Sequence, residues 1–251
     1  MTRVLHAEWT KLRTVGGPVG LLIGAIVLTV ALGWLAASAA GCPPGGCVID
    51  AAKTSLTGVL LGQAVVAVLA VVVVAGEYGD GTIRATLTAV PRRGAVLAAK
   101  AVTLTGPVLL AGLVAVAGSL AVGRAVLPGR GFALDLTDAA TLRAGAGSVL
   151  YLALVALLAL GVATVVRNAA GGIGIVLGML YLFPVLTEVV TDPRWERRLR
   201  QIAPSTAGQA VQTTLGVDTL PIGPWQGLGV LALWAAGALL AGWLVLRLRD
   251  A

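Results

Sequence analysis

The sequence predicts an all-α protein that crosses a membrane about six times, and three observations support this fold class. Of its 251 residues, 58% are hydrophobic and only 12% are charged, and the mean hydropathy is +0.95. A soluble domain usually carries about 25% charged residues because its surface faces water. The hydrophobic residues also fall into separate runs of about 20, the length that an α-helix needs to cross the hydrocarbon core of a bilayer.

Six stretches meet this length requirement, and each is bounded by charges or turn residues. They are 18–40, 56–76, 101–122, 145–166, 169–190 and 227–246. None alternates apolar and polar residues as a barrel strand would, so their backbone groups must be satisfied within helices. The first stretch is longer than the roughly 7–15 apolar residues of a signal-peptide core, which favours a retained span. We therefore expect one transmembrane domain over residues 1–251.

The composition of the spans predicts how they pack. They are rich in Ala, Gly and Val, and small residues let membrane helices approach each other closely. Pro184 lies near the end of the fifth span and should kink or break that helix. Gln63 is the one amide in the middle of a span. It is expected to bond a neighbouring helix, although contact with a substrate is the alternative.

The basic residues indicate contact with membrane lipid. The net charge is +7, but the cations lie at the ends of apolar runs and form no dense patch, which argues against nucleic acid as a partner. With the N-terminus inside, the 18 basic residues divide into ten on the cytoplasmic side and eight outside. This small excess orients the protein with both termini in the cytoplasm.

Several kinds of chemistry are missing from the sequence. The only histidine, His6, precedes the first span, which argues against a catalytic Ser–His pair and against a metal site. No Gly-x-x-x-x-Gly-Lys-Ser/Thr motif is present to hold ATP phosphates. The span centres contain no Asp, Glu, Lys or Arg, since Glu77 and Glu188 lie at span ends. Ion-coupled transporters usually place such a group at mid-membrane, so uphill transport would take its energy from another chain.

Two cysteines lie close together in the loop after the first span. Cys42 and Cys47 enclose the residues Pro-Pro-Gly-Gly on the predicted outer side, where conditions are oxidising. We expect a disulfide between them, and the alternative is two free thiols.

The sequence between the second and third spans, residues 77–100, predicts a cytoplasmic loop that contains a short amphipathic helix. Gly81 and Thr82 provide a turn and an N-cap, and Pro91 ends the helix. Three apolar residues follow the cap at helical spacing: Ile83, Leu87 and Val90. Such a helix can dock into a groove on another protein, or it can simply connect two spans at the membrane surface.

This segment closely resembles the signature of ABC transporter type 2 permeases. The residues that match it are Glu77, Gly81, Thr82, Ile83, Arg84, Leu87, Pro91, Arg93 and Lys100. Arg92 departs from the pattern, because many members carry a small polar residue there. The resemblance implies that the segment is a coupling helix that docks into a cytoplasmic ATPase subunit, with Arg84, Arg92 and Arg93 orienting it by charge.

Both ends of the chain extend this resemblance. Apolar residues at the N-terminus, including Leu5, Trp9 and Leu12, fall on one helical face. With Lys11 and Arg13 they look like the interfacial elbow helix of these permeases. Residues 191–226 resemble the two short re-entrant helices that relatives place before the last span. Pro204 and Gly208 lie at the expected break, as part of an outer gate, and the Arg194–Arg200 cluster favours a lipid-facing surface for the part before it.

The resemblance implies a permease subunit of a bacterial ABC exporter in the cell membrane, and not an enzyme. Such a subunit pairs with a second permease, identical or different, and with an ATPase that binds ATP and Mg²⁺, while this chain binds no cofactor. A hydrophobic or amphipathic substrate is expected, such as an antibiotic, a peptide or a lipid, and drug resistance is a typical role. The alternatives are a passive channel or secondary carrier, and a structural or sensory protein that transports nothing.

Overall fold

The computed structural model describes residues 2–14, 16–41, 48–79, 81–83, 93–189 and 192–248. These residues are mostly helical and contain no β-strand, and six of the helices are long and apolar enough to cross a membrane. These spans are Gly16–Ala39, Val59–Gly79, Arg93–Arg130, Ala139–Val166, Ala169–Thr187 and Pro224–Leu248. The predicted all-α membrane fold with six spans is therefore confirmed.

We number the helices in chain order. They are α1 Thr2–Thr14, α2 Gly16–Ala39, α3 Ala51–Ser55, α4 Val59–Gly79, α5 Arg93–Val126, α6 Ala139–Val166, α7 (residues 169–189), α8 Pro193–Ile202, α9 Pro204–Gln209 and α10 Pro224–Leu248. Short 3₁₀ turns follow α5 and α9. The spans are thus α2, α4, α5, α6, α7 and α10. Helices α1, α3, α8 and α9 lie at their ends.

Helix α6 forms the centre of the bundle. It packs most extensively against α10 and α4 and also contacts α5. Of an apolar stretch of 18 residues in α6, 61% is buried inside the bundle, compared with 17% of the corresponding stretch in α2. Glycines allow the closest approaches. A Cβ on Gly161 of α6 would lie 2.5 Å from the backbone of Ala238 on α10, and one on Gly58 would lie 1.8 Å from the Thr29 carbonyl oxygen. The predicted close packing through small residues is confirmed at these two contacts.

The third span begins earlier than its hydrophobicity predicts. Helix α5 starts at Arg93, eight residues before the predicted start at 101. Its first two turns carry Arg93 and Lys100, so their average hydropathy is too low for an apolar run. They are helical because one face, with Val96 and Leu97, is buried against the bundle.

Helix α7 is interrupted just before Pro184, as the sequence predicts. It is α-helical over Ala169–Leu177, forms a π-helical turn over Gly178–Leu182 and resumes α geometry over Phe183–Val189. A proline ring clashes with the carbonyl group four residues earlier, here that of Leu180. A wider π turn moves this carbonyl away from the ring.

The segment before the last span forms two short helices that meet at Ala203, which has extended backbone angles. This is the break that the sequence predicts. Helix α8 has no buried residue, so its arginines lie on the surface. Helix α9 is different, because most of its residues are buried and it packs against α10.

Candidate functional site

Four charged side chains meet where α1, α4 and α5 come together at one end of the bundle. They are Glu8 and Lys11 of α1, Glu77 of α4 and Lys100 of α5. We call these four residues the ion cluster and this end of the bundle the elbow end. The cluster contains two carboxylates and two ammonium groups, so its formal charges cancel.

Lys100 is the central residue of the ion cluster. Its Nζ donates to Glu8 Oε2 at 2.8 Å and to Glu77 Oε1 at 2.6 Å. Lys11 Nζ completes the ring, at 2.9 Å from Glu77 Oε1 and 3.3 Å from Glu8 Oε1. Hydrogen bonds between oppositely charged groups are about twice as strong as neutral ones. The cluster therefore ties three helices together at one point.

The charges of the ion cluster depend on one another because most of them are buried. Glu8 and Lys100 are each 3% exposed, so removing one charge would leave its partner without water to solvate it. Lys11 lies at the edge, with 44% of its side chain exposed. Partial burial lowers its pKa, but the hydrogen bond and negative charge of Glu77 outweigh this, with a smaller contribution from Glu8, and the pKa is raised. Lys11 is therefore charged throughout the physiological pH range.

Two residues of the ion cluster, Glu77 and Lys100, lie on either side of the segment that resembles the permease signature. Glu77 lies just before residues 80–92, and Lys100 lies in the second turn after them. Gly81 adopts a left-handed conformation with φ of +69°, which favours glycine. Ile83 is 6% exposed and lies with Val96 and Leu246 around a small apolar pocket. The start of the segment is thus anchored in the chain's own bundle. Arg84, Leu87, Pro91 and Arg92 lie outside the described residues.

Two arginines connect the elbow end to the last helix. Arg93 Nη1 donates to the Leu246 carbonyl at 2.6 Å, and Arg167 Nη2 donates to the Val245 carbonyl at 3.3 Å. Cations at a helix C-terminus satisfy its unpaired carbonyls and interact favourably with its dipole. Arg93, expected from the resemblance to orient the coupling helix, therefore also holds the end of α10.

A polar chain of three side chains crosses the centre of the bundle. The Tyr151 hydroxyl of α6 donates to Gln63 Oε1 of α4 and accepts a 3.2 Å hydrogen bond from Gln209 Nε2 of α9. Gln63 and Tyr151 are fully buried. The expectation that Gln63 bonds a neighbouring helix is confirmed. Gly208 packs directly against the Tyr151 ring, and both Gly208 and Pro204 are buried.

Asp50 connects two segments at the opposite end of the bundle, which we call the loop end. Its carboxylate accepts hydrogen bonds from the backbone N–H and the hydroxyl of Thr214, at 2.6 and 2.7 Å, and from the Leu215 N–H at 3.1 Å. It also caps α3 through the Lys53 N–H. Partial burial raises the pKa of Asp50, but these hydrogen bonds outweigh it and the pKa is lowered. Asp50 thus fixes the segment after α9 to the start of α3.

The remaining predicted residues are distributed as follows. Trp9 is 45% exposed and lines an apolar cavity beside α2 and α5, as an interfacial tryptophan would. The side chains of Leu5, Leu12 and Arg13 lie outside the described part of the chain, and so do Cys42 and Cys47.

Sequence reasoning missed three residues of these contacts. Glu8 and Asp50 were not selected, and neither was Tyr151. An acidic residue three positions before Lys11 on an otherwise basic helix is a weak signal for Glu8. For Asp50, the N-cap position before Ala51 predicts only the local bonds, since Thr214 is 164 residues away. Nothing marks Tyr151 until α6 is known to lie at the bundle centre.

The chain matches a known protein family. A model described as "ABC-2 family transporter protein" matches residues 4–185, more than two thirds of the chain. The matched range contains the whole ion cluster, residues 80–92 and the first five spans. A comparison with individual curated proteins gave no match.

Proposed function

Because the chain belongs to the ABC-2 family of transporter proteins, we propose that it forms the translocation pathway of a bacterial ABC exporter. A separate cytoplasmic ATPase binds ATP and Mg²⁺ and drives the transport, while a second permease chain completes the pathway. The elbow end and both termini face the cytoplasm. The substrate is hydrophobic or amphipathic, such as an antibiotic, a peptide or a lipid-like molecule.

The observation that supports this proposal best is the ion cluster. It joins α1, α4 and α5 at the two ends of residues 80–92, with contacts of 2.6–3.3 Å. A partner that moves this segment therefore acts on three helices together. Ile83 is buried in the bundle and is not accessible to a partner. We therefore expect the docking surface for the ATPase in the later part of the segment, which includes Arg84 and Leu87.

The path from this segment to the other side of the membrane follows α4. This helix carries Glu77 near one end and Gln63 near the other, and Gln63 bonds Tyr151, which in turn bonds Gln209 of α9. In the proposed mechanism, ATP binding brings two ATPase subunits together and tilts α4. The tilt separates Gln63 from Tyr151 and frees α9 to open as the outer gate.

A channel or secondary carrier is the alternative function. An ion-coupled carrier needs a group that binds and releases the ion, usually an acidic or basic side chain in the membrane. The six span centres contain no Asp, Glu, Lys or Arg in the sequence, and the buried polar groups within the described parts of the spans, away from Glu77 and Lys100 near the elbow end, are one amide, several hydroxyls and a phenol. This favours an external energy source.

The test is co-purification of the chain with a candidate ATPase, followed by measurement of ATP hydrolysis in proteoliposomes. Leu87→Asp should abolish the complex or its ATPase stimulation, because it places a charge in an apolar docking face. Val48→Asp is the matched control, since Val48 is 87% exposed and lies at the loop end. Equal complex formation and hydrolysis in both variants would refute the coupling role of the segment.

Energy source and substrate are tested in the same proteoliposomes. A panel of amphipathic drugs is screened for stimulated ATP hydrolysis, and transport of any active compound is then measured with and without ATP. Transport that continues after ATP depletion would favour the channel or carrier.

A further inference from the structure

A large apolar groove lies between α6, α7, α8 and α10 and extends from Ile202 toward the middle of the bundle. It has a volume of about 520 Å³ and is lined by Leu158, Met179, Ile202, Leu233 and Trp234, among others. Leu233 is 74% exposed, so the groove opens on the lipid-facing side of α10. The volume lies in the range of about 300–1,000 Å³ that is typical of small-molecule sites.

A second, polar cavity lies beside this groove. It has a volume of about 310 Å³, and its lining includes Glu196, Arg197 and Arg200. Gln201 lines the apolar groove and donates from Nε2 to the Pro221 carbonyl at 2.6 Å, while Pro221 lines the polar cavity. This hydrogen bond joins the linings of the two spaces, and together they suit a molecule with an apolar tail and a polar head.

The charge of α8 indicates the sign of that head. The helix carries four arginines and one glutamate, which gives it a net charge of +3. Glu196 pairs with Arg200 at 3.0 Å and compensates one cation in the polar cavity. Arg197 also lines that cavity and forms no ion pair with the other residues that the structure describes. Trp195 is 57% exposed, as is typical of an interfacial helix.

We propose that this double cavity binds an anionic phospholipid of the surrounding membrane. An acyl chain occupies the apolar groove beside Trp234, and the phosphate group lies against Arg197 and Arg200. Each CH₂ group buried in the groove strengthens binding, while the arginines select an anionic head over a zwitterionic one. The occupant ties α8 to α10 and α7, independently of whether the chain is an exporter.

The experiment measures lipid retention by native mass spectrometry on the purified full-length chain in detergent. Phosphatidylglycerol is added alone and in competition with phosphatidylcholine of the same acyl chains. Arg197→Gln should weaken phosphatidylglycerol binding about fivefold and Arg197→Gln/Arg200→Gln about 30-fold, at about fivefold for each basic residue near an anionic headgroup. Arg124→Gln/Arg130→Gln, at exposed positions of the loop end, is the control and should bind as the wild type does.

A second variant tests the apolar groove without changing charge. Gly237 lines the groove, and a Cβ added there meets no atom within 4 Å, so Gly237→Phe should fill the space without strain. It should reduce lipid retention, whereas Gly20→Phe should not, because Gly20 is also open but lies on α2, which does not line the groove.

Four results would overturn the proposal. Equal retention of phosphatidylglycerol and phosphatidylcholine would show that the arginines do not select an anionic headgroup. Undiminished lipid binding by Gly237→Phe would show that the acyl chain does not occupy the groove. Full competition by inorganic phosphate would indicate a site for small anions. Loss of a dimer in Gly237→Phe with lipid retention unchanged would assign the groove to a second copy of the chain.

Discussion

Replacing Lys100 with methionine should destabilise the protein strongly, because Lys100 is the central cation of the ion cluster. Methionine keeps most of the side-chain volume but removes the contacts at 2.8 and 2.6 Å to Glu8 and Glu77. Removing one partner of a buried ion pair costs about 3–5 kcal/mol. Lys11 still neutralises one carboxylate, so we expect a loss near the lower limit, about 3 kcal/mol.

The assay is thermal unfolding of the purified protein in detergent, followed by intrinsic tryptophan fluorescence. For a chain of this size, about 3 kcal/mol corresponds to a decrease in Tm of about 6–12 °C. Lys53→Met is the matched control, since Lys53 is an exposed lysine at the loop end, and its Tm should change by less than about 2 °C.

A double variant separates the electrostatic cause from the loss of packing. Glu8→Met/Lys100→Met removes one charge of each sign and leaves Lys11 paired with Glu77. If the penalty comes from an uncompensated carboxylate, the double variant should be more stable than Lys100→Met alone. The reasoning would be refuted if the double variant had a lower Tm than Lys100→Met, or if Lys100→Met had the same Tm as Lys53→Met.

Three further predictions concern other contacts. The pKa of Asp50 is lowered by folding, so its stabilisation is complete above the usual pKa of about 3.9 and is lost as pH falls through the lower folded value. Thermal melts should therefore show that Asp50→Asn, which weakens the bonds to Thr214, destabilises the protein at pH 7 and that this destabilisation decreases as pH falls below about 4. Tyr151→Phe should cost about 1 kcal/mol, or 2–4 °C in Tm, because it removes a partner from the buried amide of Gln63 and from the partly buried amide of Gln209; an unchanged melting curve would contradict this. Gly161→Ala should cost about 1–3 kcal/mol by overpacking, whereas Gly174→Ala, which has open space, should not, and equal melting curves would count against the close helix contact.

The sequence predicts the spans well because their length and apolarity reflect a requirement of the bilayer itself. Five of the six starts lie within about six residues of the prediction, and the exception is α5. Its first turns are amphipathic, and an average over hydropathy cannot detect a helix that buries only one face. The interruption near Pro184 was predicted because proline restricts the backbone locally, and the break at Ala203 was expected from the resemblance to permeases with two short helices there.

The candidate site could be predicted only in part. The signature selects Glu77 and Lys100, since both belong to one continuous motif, but their connection to Glu8 depends on how α1 folds against the bundle. Tyr151 has the same difficulty, because its partners lie 88 and 58 residues away. Contacts at such separations follow from helix packing, and a single sequence contains little direct information on that.

The position of Gln63 and Glu77 on one helix has a mechanical consequence. They are 14 residues apart, which at 1.5 Å per residue corresponds to about 21 Å, or roughly two thirds of the hydrocarbon thickness of about 30 Å. An α-helix resists compression along its axis, so a displacement of the end that carries Glu77 reaches the far half of the bilayer with little loss. A signal can therefore travel this distance as rigid motion, and no intermediate side chain has to exchange partners along the way.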